Sequence, residues 1–157
     1  MIFMDSQVVA AKPDEDLLAL DRQLCFGLAV ASRTVIAFYR PTLEPLGLTH
    51  PQYLVMLALW QYAPLRFGDL AQLLHLDPAT LTPLVKRLEA QGLVERRPVD
   101  GDERTFTLSP SPAGVALRER ATEVPRRIIE RLGLPLERLA ALRDELTTLI
   151  AAVERAS

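Results

Sequence analysis

The chain has 157 residues, 49% hydrophobic and 24% charged, an ordinary composition for a soluble globular protein with one core. Against 18 basic residues stand 20 acidic ones, so any nucleic-acid binding has to come from local clusters rather than from an overall basic charge. No apolar run reaches the roughly 18 residues of a bilayer span, and a single cysteine, Cys25, excludes an intrachain disulfide and any metal site built on several cysteines.

Met1 to Val9 has no positively charged start ahead of an apolar segment, so a cytoplasmic protein with no membrane partner is expected. Residues 1–13 carry no periodic pattern and are read as a flexible arm before one domain spanning 14–157. A long helix is predicted from about Asp14 to Tyr39. Leu17, Leu20, Leu24, Leu28, Ala31, Val35 and Phe38 recur at steps of three and four, and Pro41 is expected to end it. A second apolar edge (Cys25, Ala29, Ile36) predicts packing against something further, while Asp14-Glu15-Asp16 reads as solvated surface. Thr49-His50-Pro51-Gln52 has the capping-box pattern, with Thr49 as N-cap and Gln52 three residues on. It opens an apolar helix to about Tyr62 (Leu54, Leu57, Ala58, Trp60), expected to be the buried centre.

Residues 65–108 read as a winged helix-turn-helix. Phe67, Leu70, Ala71 and Leu74 mark its first helix. The second opens at Asp77-Pro78, since Asp is a strong N-cap and Pro suits the first helical position. Leu81, Leu84, Val85 and Leu88 then form one buried stripe, leaving Ala79, Thr80, Thr82, Lys86 and Arg87 outward. Pro83 removes one hydrogen bond near the start of the helix, and Gly92 supplies a left-handed stop. A strand (Leu93 to Arg97), a turn-rich tip (Pro98 to Arg104) and a return strand (Thr105 to Leu108) complete a hairpin. From His75 to Thr107 there are six acidic and five basic residues. DNA binding would therefore rest on Lys86-Arg87, Arg96-Arg97 and Arg104, with two copies in a dimer. Such a helix can enter a major groove, and an arginine-tipped hairpin the adjacent minor groove.

Ser111-Pro112 is expected to cap a helix reaching about Leu132 with a kink at Pro125. Gly133 and Pro135 separate it from a last helix, where Leu139, Leu142, Leu146, Leu149 and Val153 repeat at near-heptad spacing. The fold class is thus mainly α (α+β). A winged helix-turn-helix is bracketed by helices over 14–39 and 112–156 whose surplus apolar stripes predict a homodimer. Two recognition helices about one helical turn apart would read a palindrome.

Three segments (Gly92-Leu93-Val94-Glu95-Arg96-Arg97, Asp102-Glu103-Arg104, and Ser111 to Gly114) resemble the recognition-helix exit and wing of the MarR family of transcriptional regulators. Within it, Leu24-Cys25-Phe26, Tyr39-Arg40-Pro41, Leu43-Glu44-Pro45-Leu46, Pro51-Gln52-Tyr53-Leu54 and Thr80-Leu81-Thr82-Pro83-Leu84 are similar to the organic hydroperoxide resistance repressors (OhrR). The resemblance implies a dimeric repressor of a palindromic duplex operator, neither an enzyme nor a cofactor protein. It further implies that Cys25 is oxidised by organic hydroperoxides and, when reduced, is hydrogen-bonded to tyrosines of the partner subunit. Tyr39 matches one of these; the others fall at His50 and Ala29. A serine and a glycine of the recognition helix are Pro78 and Ala79 here, and Pro110 replaces an apolar β residue.

On its residue type alone, Cys25 on an apolar helix face reads as a small core hydrophobe. A sensor thiol needs a nearby donor or positive charge, which Tyr39 and a protonated His50 would supply. The expected chemistry is oxidation to sulfenic acid and capture by a small cellular thiol, no second cysteine being present. For DNA, Thr80, Thr82, Lys86 and Arg87 are expected in the major groove and on the backbone, with Arg104, oriented by Asp102, in the minor groove; a hairpin salt bridge between the latter two is the plainer alternative. His50 and His75 alone do not make a metal site. One rival keeps DNA binding but replaces oxidation by a small, perhaps aromatic, ligand in a pocket enlarged at Ala29 and His50. A thiol peroxidase and a winged domain used only for protein contacts are the others.

Overall fold

The computed structural model describes residues 17–157. The arm over 1–13, the expected helix start at Asp14 and the acidic run Asp14 to Asp16 lie outside them. The chain divides into two compact units, one ending at Phe38 and one from Tyr39 to Ser157, the boundary falling inside the first long helix.

That helix is shorter at its start and longer at its end than its sequence pattern predicts. Leu20–Arg22 form a single 3-10 turn, and Gln23 is extended (φ −79°, ψ 123°). Gln23 Nε2 donates to the Leu17 carbonyl at 2.7 Å and to that of Ala19 at 3.2 Å, so its side chain satisfies carbonyls that a continuous helix would have used. Helix α1 therefore runs Leu24–Leu43 and passes through Pro41. A proline two residues from the end of the helix removes one hydrogen bond. The two residues after it, Thr42 and Leu43, are buried, and that burial outweighs the loss.

In the second unit, α2 (His50–Tyr62) starts at the expected capping box. Its inward face is Gln52, Tyr53, Val55, Met56, Ala58 and Leu59, while Leu54 and Leu57 are exposed. The expectation of Leu54 and Leu57 at the centre is thus corrected. In a helix apolar nearly all round, periodicity does not select a face. Strand β1 (Leu65–Arg66) leads into α3 (Phe67–Leu73) and α4 (Pro78–Ala90). Leu81, Leu84, Val85 and Leu88 of α4 are buried as predicted, with Leu70 of α3 and Val55, Met56 and Leu59 of α2.

The wing is longer than expected: β2 covers Val94–Val99 and β3 Asp102–Pro110. The sheet order is β1-β3-β2, all antiparallel, with Leu65 and Arg96 opposite Leu108 and an irregularity between Pro98 and Val99. Leu108 in the central strand is fully buried.

The helix expected from Ser111 to Leu132 is two helices, α5 (Pro112–Ala121) and α6 (Glu123–Leu132). The break falls at Thr122 rather than as a kink at Pro125. Pro125 is the third residue of α6, where its missing N–H would have had no partner in the helix. Ser111 caps α5 by accepting from the Gly114 N–H at 3.0 Å, and the Trp60 indole donates to the Gly114 carbonyl at 2.9 Å. Helix α7 (Leu136–Ala156) has no buried residue: Leu142, Leu146, Ile150 and Val153 are all exposed in the single chain.

Candidate functional site

The exposed face of α4 is organised from its first turn. Asp77 precedes the helix in extended conformation, and its carboxylate accepts the Thr80 N–H at 2.8 Å and the Thr80 hydroxyl at 3.0 Å. These bonds hold the Asp77 carboxyl below the usual aspartate range. The Thr82 hydroxyl donates to the Pro78 carbonyl at 2.7 Å. Both threonines thus spend their one donor inside the helix and offer only lone pairs outward, a fit to amino groups on base edges rather than to phosphate oxygens. Lys86 and Arg87 follow one turn on, both exposed.

The basic cluster at Arg96-Arg97 is largely neutralised. Arg96 is ion-paired with Glu89 of α4 through two contacts and lies over the Phe106 ring, 4.3 Å from its centroid. Arg97 pairs with Glu95 at 3.4 Å. At the wing tip, Asp102 accepts the Arg104 backbone N–H at 2.9 Å and the Thr105 hydroxyl. The Thr105 hydroxyl first, and the Arg104 amide second, keep the Asp102 carboxyl below its ordinary value. Asp102 thus shapes the turn under Arg104 rather than gripping its guanidinium, and among the described residues no carboxylate pairs with Arg104. Lys86, Arg87 and Arg104 are the cations this arrangement leaves for a polyanion.

Cys25 is the second residue of α1 and is exposed. Tyr39 and His50 are brought together in the second unit, ring centroids 5.2 Å apart and edge-on at 76°, with Tyr53 beyond, 6.2 Å from Tyr39. Burial raises the Tyr39 and Tyr53 phenols and lowers the His50 imidazole. Burial thus works against a charged His50 imidazole. Glu89 and Gln91 hold the C-terminal end of α4, Glu89 to Arg96 of the wing and Gln91 to Gln52 and the Gly47 carbonyl; Gln52 was legible only as part of the capping box. The only signal for Gln91 was its position beside the Gly92 stop.

Among the described residues no group of three or more His, Cys, Asp or Glu could hold a metal ion, and no helix is long and apolar enough to cross a membrane.

Residues 48–106, which contain α2, the helix-turn-helix and most of the wing, match the MarR family model. The organic hydroperoxide resistance transcriptional regulator of Bacillus subtilis is 38% identical over 135 residues, 86% of this chain and 92% of that protein. Among solved structures, reduced AbfR bound to DNA superposes with a TM-score of 0.70 at 31% identity, covering 85% of this chain and 94% of that one. CouR from Rhodococcus jostii bound to p-coumaroyl-CoA superposes at 0.71 with 26% identity, covering 84% and 94%. A winged fold shared over most of the chain, together with sequence identity at this level, means that the chain belongs to the MarR family of transcriptional regulators.

Proposed function

We propose that the protein is a cytoplasmic, homodimeric repressor that grips a palindromic duplex operator and releases it when Cys25 is oxidised by an organic hydroperoxide. The observation that carries this reading is a lone, exposed thiol at the start of α1 in a chain so close to an organic hydroperoxide regulator. The apolar faces of α1 and α7, exposed in a single chain over Leu24, Val35, Leu142, Ile150 and Val153, favour dimerisation through 14–39 and 112–156 within one domain of 14–157. Thr80, Thr82, Lys86 and Arg87 would serve the major groove and the backbone, and Arg104, set on its turn by Asp102, the minor groove. Tyr39 and His50 would complete the thiol site from the other subunit.

In the reaction, the Cys25 thiolate attacks the outer oxygen of ROOH. The O–O bond breaks, sulfenic acid forms, and the alcohol leaves with a proton. A small thiol then condenses with the sulfenic acid, giving a mixed disulfide and water. The test is operator binding by wild type and Cys25→Ser before and after cumene hydroperoxide. Release by wild type and retention by the serine variant is the expected result, and equal release by both would reject the reading.

A second reading, release by an aromatic ligand, is favoured by one observation. A cavity of about 490 Å³ is lined by Tyr39, Ile128, Leu132, Leu136, Leu139 and Arg143, an aromatic and aliphatic setting for such a ligand, with the Arg143 guanidinium held by Asp144. Release of operator by such a compound with Cys25→Ser in place would select it.

A further inference from the structure

Gly47 and Thr49 flank the turn into α2, and each is tied to the end of α4 through a side-chain amide. The Thr49 N–H donates to Gln52 Oε1 at 2.9 Å, Gln52 Nε2 donates to Gln91 Oε1 at 3.3 Å, and Gln91 Nε2 donates to the Gly47 carbonyl at 2.8 Å. A backbone N–H can only donate and a carbonyl only accept, so the two ends of this chain fix the orientation of both amides. Gln52 is only 4% exposed and relies on these partners, whereas Gln91 stands at the surface. Gln91 is also the C-cap of α4, its own N–H bonded to the Arg87 carbonyl at 2.9 Å. The side chain that holds the loop is thus one helical turn from a DNA-facing arginine. In the other direction the loop runs directly into His50, whose ring meets Tyr39.

We propose that Gln91 is a positioning residue: it sets α4 against the loop over 47–49, so that a displacement at the Tyr39–His50 pair is passed to the operator-binding face. The proposal rests on the regulator reading above and adds the element that couples trigger to DNA. Position 91 must accept from Gln52 and donate to Gly47 at once, which an amide of this length does and a carboxylate or methyl does not.

Gln91→Ala deletes both bonds. Gln91→Glu keeps the acceptor for Gln52 but turns a carboxylate oxygen toward the Gly47 carbonyl. Both are surface changes in the full-length protein. The experiment measures hydrogen exchange over 47–52 without DNA, and operator affinity before and after cumene hydroperoxide. Exchange over 47–52 is expected to quicken about fivefold, the equivalent of one lost hydrogen bond. The affinity ratio between untreated and treated protein is expected to fall at least about fivefold, while the salt dependence of operator binding is unchanged. A wild-type ratio in both variants, whether or not exchange quickens, would overturn the proposal. A wild-type protein that ignores hydroperoxide would instead reject the redox reading. Exchange over 47–52 then decides the present proposal alone: faster exchange in both variants upholds the tie, and unchanged exchange overturns it.

Discussion

Asp77 and Thr80 grip each other twice at the start of the recognition helix, the carboxylate accepting both the amide and the hydroxyl of the threonine. The cap therefore orders the helix and, in the same contact, turns the Thr80 hydroxyl's proton back toward Asp77. Asp77→Ala should lower the melting temperature by about 3 °C.

The same pair gives a pH dependence. A carboxyl held below its ordinary value of 3.8 contributes stability that is present above that pH and is lost as the pH falls through its folded pKa. Asp77→Asn, which keeps an acceptor for the amide, should leave stability near pH 7 little changed and shrink the acid-induced loss below about pH 4. Asp102, also held low, accounts for a remaining share. Melting curves between pH 2.5 and 7 are the measurement.

The cations should divide into two groups. Lys86→Ala, Arg87→Ala and Arg104→Ala should each weaken operator binding and lower the slope of log affinity against log salt by about 2, one phosphate contact per subunit. Arg96→Ala should scarcely change that slope. Its charge is already opposed by Glu89 and stacked on Phe106, so its loss should appear as about 1 kcal/mol of stability. Binding titrations at several salt concentrations separate the groups, and a large slope change in Arg96→Ala would contradict the assignment.

His50 makes a prediction of opposite sense to a surface histidine near an acid. Its pKa is lowered from 6.5 by burial, so the folded state resists its protonation. The unfolded chain takes up the proton first, and stability falls as the pH drops below about 6.5 toward the folded value. His50→Gln should flatten the melting temperature across pH 7 to 5. A slope identical to wild type would show that His50 does not titrate in that range.

Gly114 is held by close approach. A Cβ there would stand 2.2 Å from the Leu93 carbonyl oxygen and 3.2 Å from the Pro110 Cβ. Gly114→Ala should destabilise the protein by about 2 kcal/mol, through a forced shift of α5 away from the base of the wing. Trp60→Phe, which loses only the indole bond to the Gly114 carbonyl, should cost about 1 kcal/mol. Because both changes act through Gly114, the double variant should fall short of the sum.

What the sequence made legible was local chemistry. Asp77-Pro78, the stripe Leu81, Leu84, Val85 and Leu88, and the Gly92 stop are signals complete within one helix, and the structure places each accordingly. The misses arose where distant packing overrides such signals. Pro41 reads as a terminator, yet burial of Thr42 and Leu43 carries the helix past it. Pro125 reads as a kink, yet a new helix begins two residues earlier and absorbs it as a first-turn residue. In α2 every face is apolar, so only the position of its neighbours decides that Met56 goes in and Leu57 out. Within the candidate site, α4 and the wing were legible; the pairing of Arg96 with Glu89 and the amide chain through Gln52 and Gln91 were not. Those contacts join residues seven to 44 apart in the chain, a range over which no spacing rule acts.

The proline at position 98 bears on how these molecules behave at high concentration. Strand β2 forms the outer border of the three-stranded sheet, where unpaired backbone groups invite a foreign strand to add on. Pro98 withholds one of the amides such an intruder would need, next to a register irregularity between Pro98 and Val99. An edge so interrupted is a poor template for a strand from another molecule.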